Sequence, residues 1–136
     1  MPQATEQDVN AVEAVRRVHD EAFRRGDAQG VASVFHENAV YCHPKHPEWI
    51  RGRVAIKNEW ERFFNEWRVV KAQHTKAIII VYTDSTCAID VGWGDALFRT
   101  TGGVEFESHT RYAAYLAKQP DGNWQVIALH VASQED

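Results

Sequence analysis

Residues 39–53 of the chain are AVYCHPKHPEWIRGR. The first part of this stretch, residues 39–43, is apolar and typical of a strand, and it ends at His43, directly before Pro44. A titratable side chain at the end of a strand can face a cavity that the rest of the domain encloses. We therefore take His43 as the first candidate for chemistry and extend the analysis outward from it.

The composition predicts a single globular domain over residues 1–136. The chain is 44% hydrophobic and 25% charged, which suits one buried core. Its net charge of -4 provides no broad basic surface, so we expect no nucleic acid and no membrane as partner, but a small apolar ligand or a second copy of the chain. Both cysteines lie in apolar strand-like segments and no apolar leader opens the chain, which indicates a reduced, cytoplasmic protein.

Two helices are predicted before this strand and one after it. Over residues 5–25 apolar residues recur at three- and four-residue spacing, and His19 lies within the apolar stripe. Asp27 is a suitable N-cap for a short second helix that carries Val34 and Phe35. The third helix presents an apolar face made of Ile56, Trp60, Phe63, Phe64 and Trp67.

The second half of the chain predicts a sheet. Four segments are rich in Val, Ile, Thr and aromatic residues, and the short turns between them favour antiparallel hairpins. These strands are predicted at residues 69–83, 86–100, 104–118 and 123–133. Helices followed by an antiparallel meander predict an α+β domain with the helices on one face of the sheet.

Strand alternation sorts the side chains of the two central strands into faces. In the strand at 86–100, the apolar face includes Trp93 and also Asp95, which we expect to be partly desolvated. In the next strand Tyr112 lies on one face, whereas His109 and Arg111 lie on the opposite, outer face. The outer face is the expected surface of a homodimer.

The order of these elements resembles the nuclear transport factor 2-like, or SnoaL-like, superfamily, which includes ketosteroid isomerases and polyketide cyclases. The resemblance covers nearly the whole chain. Its motifs are Gly26-Asp27, the segment AVYCHP at 39–44, IRGR at 50–53 and DGNW at 121–124. The resemblance implies a cone, in which a strongly curved antiparallel sheet wraps around the N-terminal helices and leaves an apolar pocket between them, and a dimer through the outer sheet face.

The chain departs from the ketosteroid isomerase pattern at the residues that carry the reaction. The resemblance places His43 at the position of the general-base aspartate, His19 at that of an oxyanion-stabilising tyrosine, and Trp60 at that of a supporting tyrosine. Ala114 stands roughly where those enzymes have a second, protonated acid. Since imidazole occupies the base position and one donor is missing, we expect no steroid isomerase activity as such.

The predicted function is acid–base catalysis by His43, without a cofactor, on a small and mostly apolar carbonyl compound. Isomerases, cyclases and dehydratases carry out reactions of this kind, and a histidine is a suitable base near neutral pH. His19 and Asp95 complete the predicted catalytic set, in which Asp95 either supplies a proton or orients a histidine. The predicted pocket wall consists of Tyr41, Trp60, Phe64, Trp93, Tyr112 and Val131.

Each candidate also has a purely structural interpretation. His19 can be a core histidine, His43 can cap the strand end, and Asp95 can form a structural ion pair. His43 and His46 are three residues apart, but zinc requires three or four ligands and the loop carries no known signature, so we expect no metal. The alternative function is a non-catalytic module for ligand binding, dimerisation or assembly. Catalysis requires His43 and another predicted polar residue to converge on one empty volume.

Overall fold

The protein is described by a computed structural model over residues 6–44, 46, 48–82, 84 and 86–134. Thr5, Thr83 and Ser85, which belong to the predicted helix, strand and turn boundaries, lie outside these residues. The helices are α1 (Glu6–Arg25), α2 (Ala28–Ala32) and α3 (Arg53–Glu66). The strands are β1 (Phe35–Cys42), β2 (Ile50–Arg51), β3 (Trp67–Val81), β4 (Cys87–Thr100), β5 (Glu105–Lys118) and β6 (Trp124–Ser133).

The strands form one sheet in the order β2-β1-β6-β5-β4-β3. Strands β3 to β6 make the predicted antiparallel meander, whereas β1 runs parallel to β6. The sheet is curved and does not close, and α1 packs against its concave face. The predicted α+β architecture, with a curved sheet around the N-terminal helices, is confirmed.

A β-bulge in β3 increases the curvature on the side of the sheet opposite to β1. The pairing with β4 shifts between Thr75 and Ile78, and Lys76 has a φ of 54°. Bulges bend a strand and change the direction of nearby side chains. This one begins after Thr75, the neighbour of His74 in β3.

The elements on either side of β1 differ in extent from the prediction. Helix α2 ends at Ala32, so Val34 and Phe35 lie outside it, and Phe35 begins β1. Likewise Trp67 begins β3 and does not end α3. The physical reason is burial from several sides: Phe35 is fully buried, and an apolar residue in such a place fits a helical pattern and a strand pattern equally well.

The two faces of β4 are reversed relative to the prediction. The side with Asp90 and Phe98 is buried in the domain, whereas the more apolar side, with Trp93, lies on the convex face. There the guanidinium carbon of Arg111 lies 5.6 Å from the centre of the Trp93 ring. The register with β5 determines the orientation, because it places Asp90 opposite Ala114 on the concave side.

The core lies between the helices and the concave face of the sheet. Its largest fully buried side chains are Tyr41, Phe35, Ile56, Val12 and Val31. Gly52, with a φ of 90°, makes the turn from β2 into α3, a conformation that L-residues with a side chain rarely adopt. No helix in the described part of the chain has the length and apolar character needed to cross a membrane.

Candidate active site

A cavity of about 510 Å³ lies between α1, α3 and the concave face of the sheet. Pockets of this size enclose small organic ligands, and they usually combine apolar walls with a few polar groups. The aromatic part of its wall consists of Phe23, Phe35, Tyr41, Trp60, Phe63, Trp67, Phe98, Phe106 and Tyr112. The polar groups come mainly from α1 and from the β3–β5 part of the sheet.

One carboxylate in this cavity binds two histidines. Nδ1 of His74, on β3, lies 2.9 Å from Oδ2 of Asp20, and Nδ1 of His19 lies 3.1 Å from Oδ1 of the same residue. Burial raises the pKa of Asp20, but the hydrogen bonds from His19 and His74 outweigh this effect and hold the pKa well below its ordinary value. Asp20 is therefore ionised near neutral pH.

The shared carboxylate fixes the tautomer of both neutral rings. An ionised carboxylate only accepts hydrogen bonds, so Nδ1 of His19 and Nδ1 of His74 each carry a proton and donate it to Asp20. Nε2 of each neutral ring is then an acceptor. This is the arrangement in which a carboxylate orients a histidine so that its other nitrogen can take a proton.

The two histidines differ in access to the cavity. The side chain of His74 is 26% exposed and lines the cavity. Nε2 of His19 is shielded and has no hydrogen-bond partner among the residues that the structure describes, because its ring packs against Phe23 and Phe35. His74 is therefore placed to contact a ligand, whereas His19 acts on the site through Asp20.

A second polar cluster adjoins His74. Nη1 of Arg16, on α1, donates to both carboxylate oxygens of Asp90 at 2.7 and 2.9 Å, and the Tyr112 hydroxyl donates to Oδ1 of Asp90 at 2.9 Å. The Tyr112 ring packs edge-on against His74, with 4.8 Å between the ring centres. Burial, reinforced by the charge of Asp90, raises the pKa of Tyr112, so its hydroxyl stays protonated.

Two glycines of β4 make room for these rings. A Cβ at Gly94 would lie 3.0 Å from the Thr110 hydroxyl and 3.3 Å from Cδ2 of His74. A Cβ at Gly92 would lie 3.0 Å from Cε2 of Tyr112. Since real side chains seldom pack so closely, the alternation of glycines on the concave face is what admits both rings.

Several residues predicted from the sequence meet at this cavity. His43 lines it at the end of β1, with its ring centre 5.9 Å from that of Tyr41 and 6.4 Å from that of Trp60. His19, Tyr112 and Val131 also belong to the wall. His43 thus lines the same cavity as two other predicted polar residues, His19 and Tyr112.

Two other predicted residues lie outside the cavity wall, and a third, Asp95, lines the cavity while it is bound to a histidine. Phe64 stacks on Trp60, with 5.5 Å between the ring centres, and Trp93 lies on the convex face; neither belongs to the cavity wall. Asp95 binds Nδ1 of His109 at 2.7 Å in a pair whose side chains are both more than one-third exposed. No group of three or more metal-binding side chains is arranged around a common point within the described ranges.

Four residues of the site are absent from the sequence prediction: Arg16, Asp20, His74 and Asp90. The position of Asp90 could have been inferred from the β4–β5 hairpin, whose register places it on the same side as Tyr112. Asp20 follows His19 directly, which is a weak signal. No sequence pattern indicates that His74 belongs to the site, because its partner Asp20 lies 54 positions away in the chain.

The comparisons with known proteins agree with this architecture. A family model for the SnoaL-like domain matches residues 12–134. The chain belongs to the SnoaL-like domain family. A comparison with curated protein sequences gives no significant match.

Several solved structures are similar to this SnoaL-like protein in fold. A ketosteroid isomerase-like protein from Erwinia carotovora atroseptica has a TM-score of 0.82 at 16% identity, over 97% of this chain and 100% of that one. A proposed NTF2-like dehydratase from Streptomyces avermitilis has a TM-score of 0.79 at 16% identity, over 97% and 100%. A Catenulispora acidiphila protein in complex with S-DNPA has a TM-score of 0.74 at 17% identity, over 90% of each chain.

Replacement of Asp20 by Asn should destabilise the protein at pH 7 and reduce its sensitivity to acid. The folded state holds the Asp20 pKa below its ordinary value of 3.8, so the unfolded chain binds the proton more readily. The carboxylate therefore stabilises the fold fully above about pH 4 and loses this contribution as the pH falls further. Urea unfolding at pH 7 should show a loss of about 2 kcal/mol in Asp20→Asn.

The difference between wild type and Asp20→Asn should become smaller as the pH is lowered towards about 3. Glu21→Gln, which removes the exposed carboxylate next in the chain, is the matched control and should unfold like wild type. A difference that stays constant over this pH range would show that Asp20 does not titrate as described.

Proposed function

We propose that this SnoaL-like protein is an acid–base enzyme of the isomerase or lyase type, with His74 as the base and a small, largely apolar carbonyl compound as substrate. The observation that carries the proposal is the Asp20–His74 hydrogen bond of 2.9 Å at the wall of an apolar cavity. The sequence alone had suggested His43 for the same role.

The Asp20–His74 pair has the features of a general base. A neutral imidazole with a proton on Nδ1 offers the lone pair of Nε2 to a substrate. The carboxylate also stabilises the imidazolium that forms when Nε2 takes the proton. His74 would therefore remove a proton from a carbon atom next to a carbonyl group.

Removal of that proton leaves negative charge on the carbonyl oxygen, and the second cluster can stabilise it. Arg16 is a permanent cation, and only Nη1 of its guanidinium donates to Asp90. The Tyr112 hydroxyl gives its one proton to Asp90 and accepts from Nη1 of Arg16 at 3.3 Å, so it helps to hold the guanidinium next to His74. Positive and hydrogen-bonding groups held in advance around a developing oxyanion lower the barrier. In this proposal Asp90 is a positioning residue, because it holds Arg16 and Tyr112 in place.

The similar proteins support a small organic ligand. One of them was solved with S-DNPA bound, and another is a proposed dehydratase. No cofactor is needed for the proposed step, since His74 and the Arg16 cluster supply both the base and the stabilising charge. A dehydration or an isomerisation would follow from the same enolate, depending on where the substrate carries a leaving group.

Exchange of deuterium into 2-tetralone tests this proposal. The compound is a compact apolar ketone with acidic C–H groups beside its carbonyl, so a base in the cavity should accelerate exchange from D₂O. His74→Ala should lower the rate of exchange, followed by proton NMR, by roughly 10²- to 10⁴-fold. Asp20→Asn should also lower it, because it disturbs the tautomer of His74. His130→Ala, in an exposed histidine of β6, is the control and should behave as wild type.

The exchange rates of the histidine variants show whether His74 or His43 is the base. Loss of exchange in His43→Ala with full exchange in His74→Ala would assign the base to His43 instead. Wild type that binds 2-tetralone but does not accelerate exchange would contradict the enzymatic proposal and favour a ligand-binding module.

The convex face supports a homodimer. Exposed apolar side chains continue across three adjacent strands, with Ile80 of β3 paired to Ile89 of β4 and Ile89 paired to Tyr115 of β5. Ile80 and Tyr115 are 48% and 49% exposed, and Ile78 on the same face is 57% exposed. A contiguous apolar patch on a sheet is typical of an interface between subunits.

A charge in this patch should therefore separate the subunits. Light scattering coupled to size-exclusion chromatography should give the mass of two chains for wild type and that of one chain for Ile80→Glu. Val54→Glu, at an exposed position of α3, is the control and should keep the mass of wild type. A wild type with the mass of a single chain at all concentrations would contradict the homodimer.

A further inference from the structure

We infer that the cavity has a second recognition site at Tyr41, which binds a hydroxyl group at the end of the substrate remote from the reacting carbonyl. The inference rests on the proposed function for the assignment of the reacting end. It assigns the substrate to a class: elongated carbonyl compounds with an apolar body and a hydroxyl group at the far end.

Tyr41 has an unused polar group in a buried place. The residue is 2% exposed and lines the cavity, and its ring packs against Phe35, His43 and Trp60. Its hydroxyl has no hydrogen-bond partner among the described residues, and it is not one of the side-chain atoms that the protein closes off completely from solvent. A polar group on a cavity wall that no protein group satisfies is left to a water or to a ligand.

The surroundings of Tyr41 favour a hydroxyl group as that ligand. Burial, with the charge of Glu59 as a further cause, raises the pKa of Tyr41, so its hydroxyl remains a donor. Glu59, on α3, also lines the cavity, and Arg62 occupies Oε1 of its carboxylate at 2.7 Å. A ligand hydroxyl can accept from Tyr41 and donate to Glu59, whereas a ligand carboxylate would be repelled by Glu59.

The register of the sheet separates Tyr41 from the acid–base groups. Tyr41 lies opposite Leu129, Leu129 opposite Ala114, and Ala114 opposite Asp90. Three strand spacings of about 4.8 Å therefore lie between Tyr41 and Asp90, which is about 14 Å along the curved sheet. Between the two polar ends the row presents only the apolar side chains of Leu129 and Ala114.

An aromatic side chain also lies between Tyr41 and the histidine pair. The ring of Tyr41 contacts Phe35, and Phe35 contacts His19, with 6.4 and 6.5 Å between successive ring centres. The cavity thus has a polar end at Tyr41, an apolar middle, and a polar end at His74. A ligand with oxygen functions at both ends matches this pattern, and it would satisfy the Tyr41 hydroxyl.

Two matched biphenyl ketones test the inference by isothermal titration calorimetry on the full chain. The probes are 4-acetyl-4′-hydroxybiphenyl and 4-acetylbiphenyl, which differ only in the hydroxyl group remote from the ketone. Wild type should bind the hydroxylated probe about tenfold more tightly, as expected for a buried hydrogen bond that is otherwise unmade. Tyr41→Phe should abolish this preference, and Glu59→Gln should reduce it.

The controls distinguish this inference from the proposed function. Tyr115→Phe, on the convex face, should keep the tenfold preference, and so should His74→Ala, which removes the proposed base. Equal affinity of wild type for both probes, no binding of either, or a preference that survives in Tyr41→Phe would overturn the inference. Absence of deuterium exchange in wild type, with the hydroxyl preference intact, would overturn the proposed function alone.

Discussion

The site depends on one partly buried carboxylate, because Asp20 joins the first helix to the sheet through two histidines. His19 reaches it from the same helix, and His74 reaches it from β3. Removing a carboxylate from water is unfavourable unless it gains partners, and here two ring N–H groups supply them. The same bonds that make the buried charge tolerable fix the orientation of His74. Asp20 therefore contributes both to the stability of the fold and to the orientation of His74, the proposed base.

The concave surface of β4 is the complementary constraint. Gly92 and Gly94 leave space for the rings of Tyr112 and His74, and Asp90 lies on the same side and holds Arg16. A side chain at Gly92 would displace the ring of Tyr112, and a side chain at Gly94 would displace the ring of His74. The result is a cavity with polar groups near β3 to β5, aromatic walls towards α3, and an unpartnered hydroxyl at Tyr41.

Much of the fold could be predicted from local patterns, whereas most of the site could not. Hydrophobic alternation and short turns located the meander, and the segment ending at His43 led to the cavity wall. The face of β4 was misassigned because Trp93 makes the convex side look like a core face, while Asp90 on the concave side looks like a surface residue. Its burial depends on Arg16, which approaches from a helix 74 positions away in the sequence. No local pattern contains such a contact.

The tautomer of His74 is the most direct test of the account, because the base exists only if Asp20 holds the proton of this ring on Nδ1. Long-range ¹H–¹⁵N correlation spectra of the imidazole rings at about pH 8 distinguish a protonated from an unprotonated ring nitrogen, with His74→Gln and His19→Gln to assign the signals. The account predicts a protonated Nδ1 and an unprotonated Nε2 for both rings. A proton on Nε2 of His74 would contradict it, because this ring could then neither donate to Asp20 nor accept a proton from a substrate.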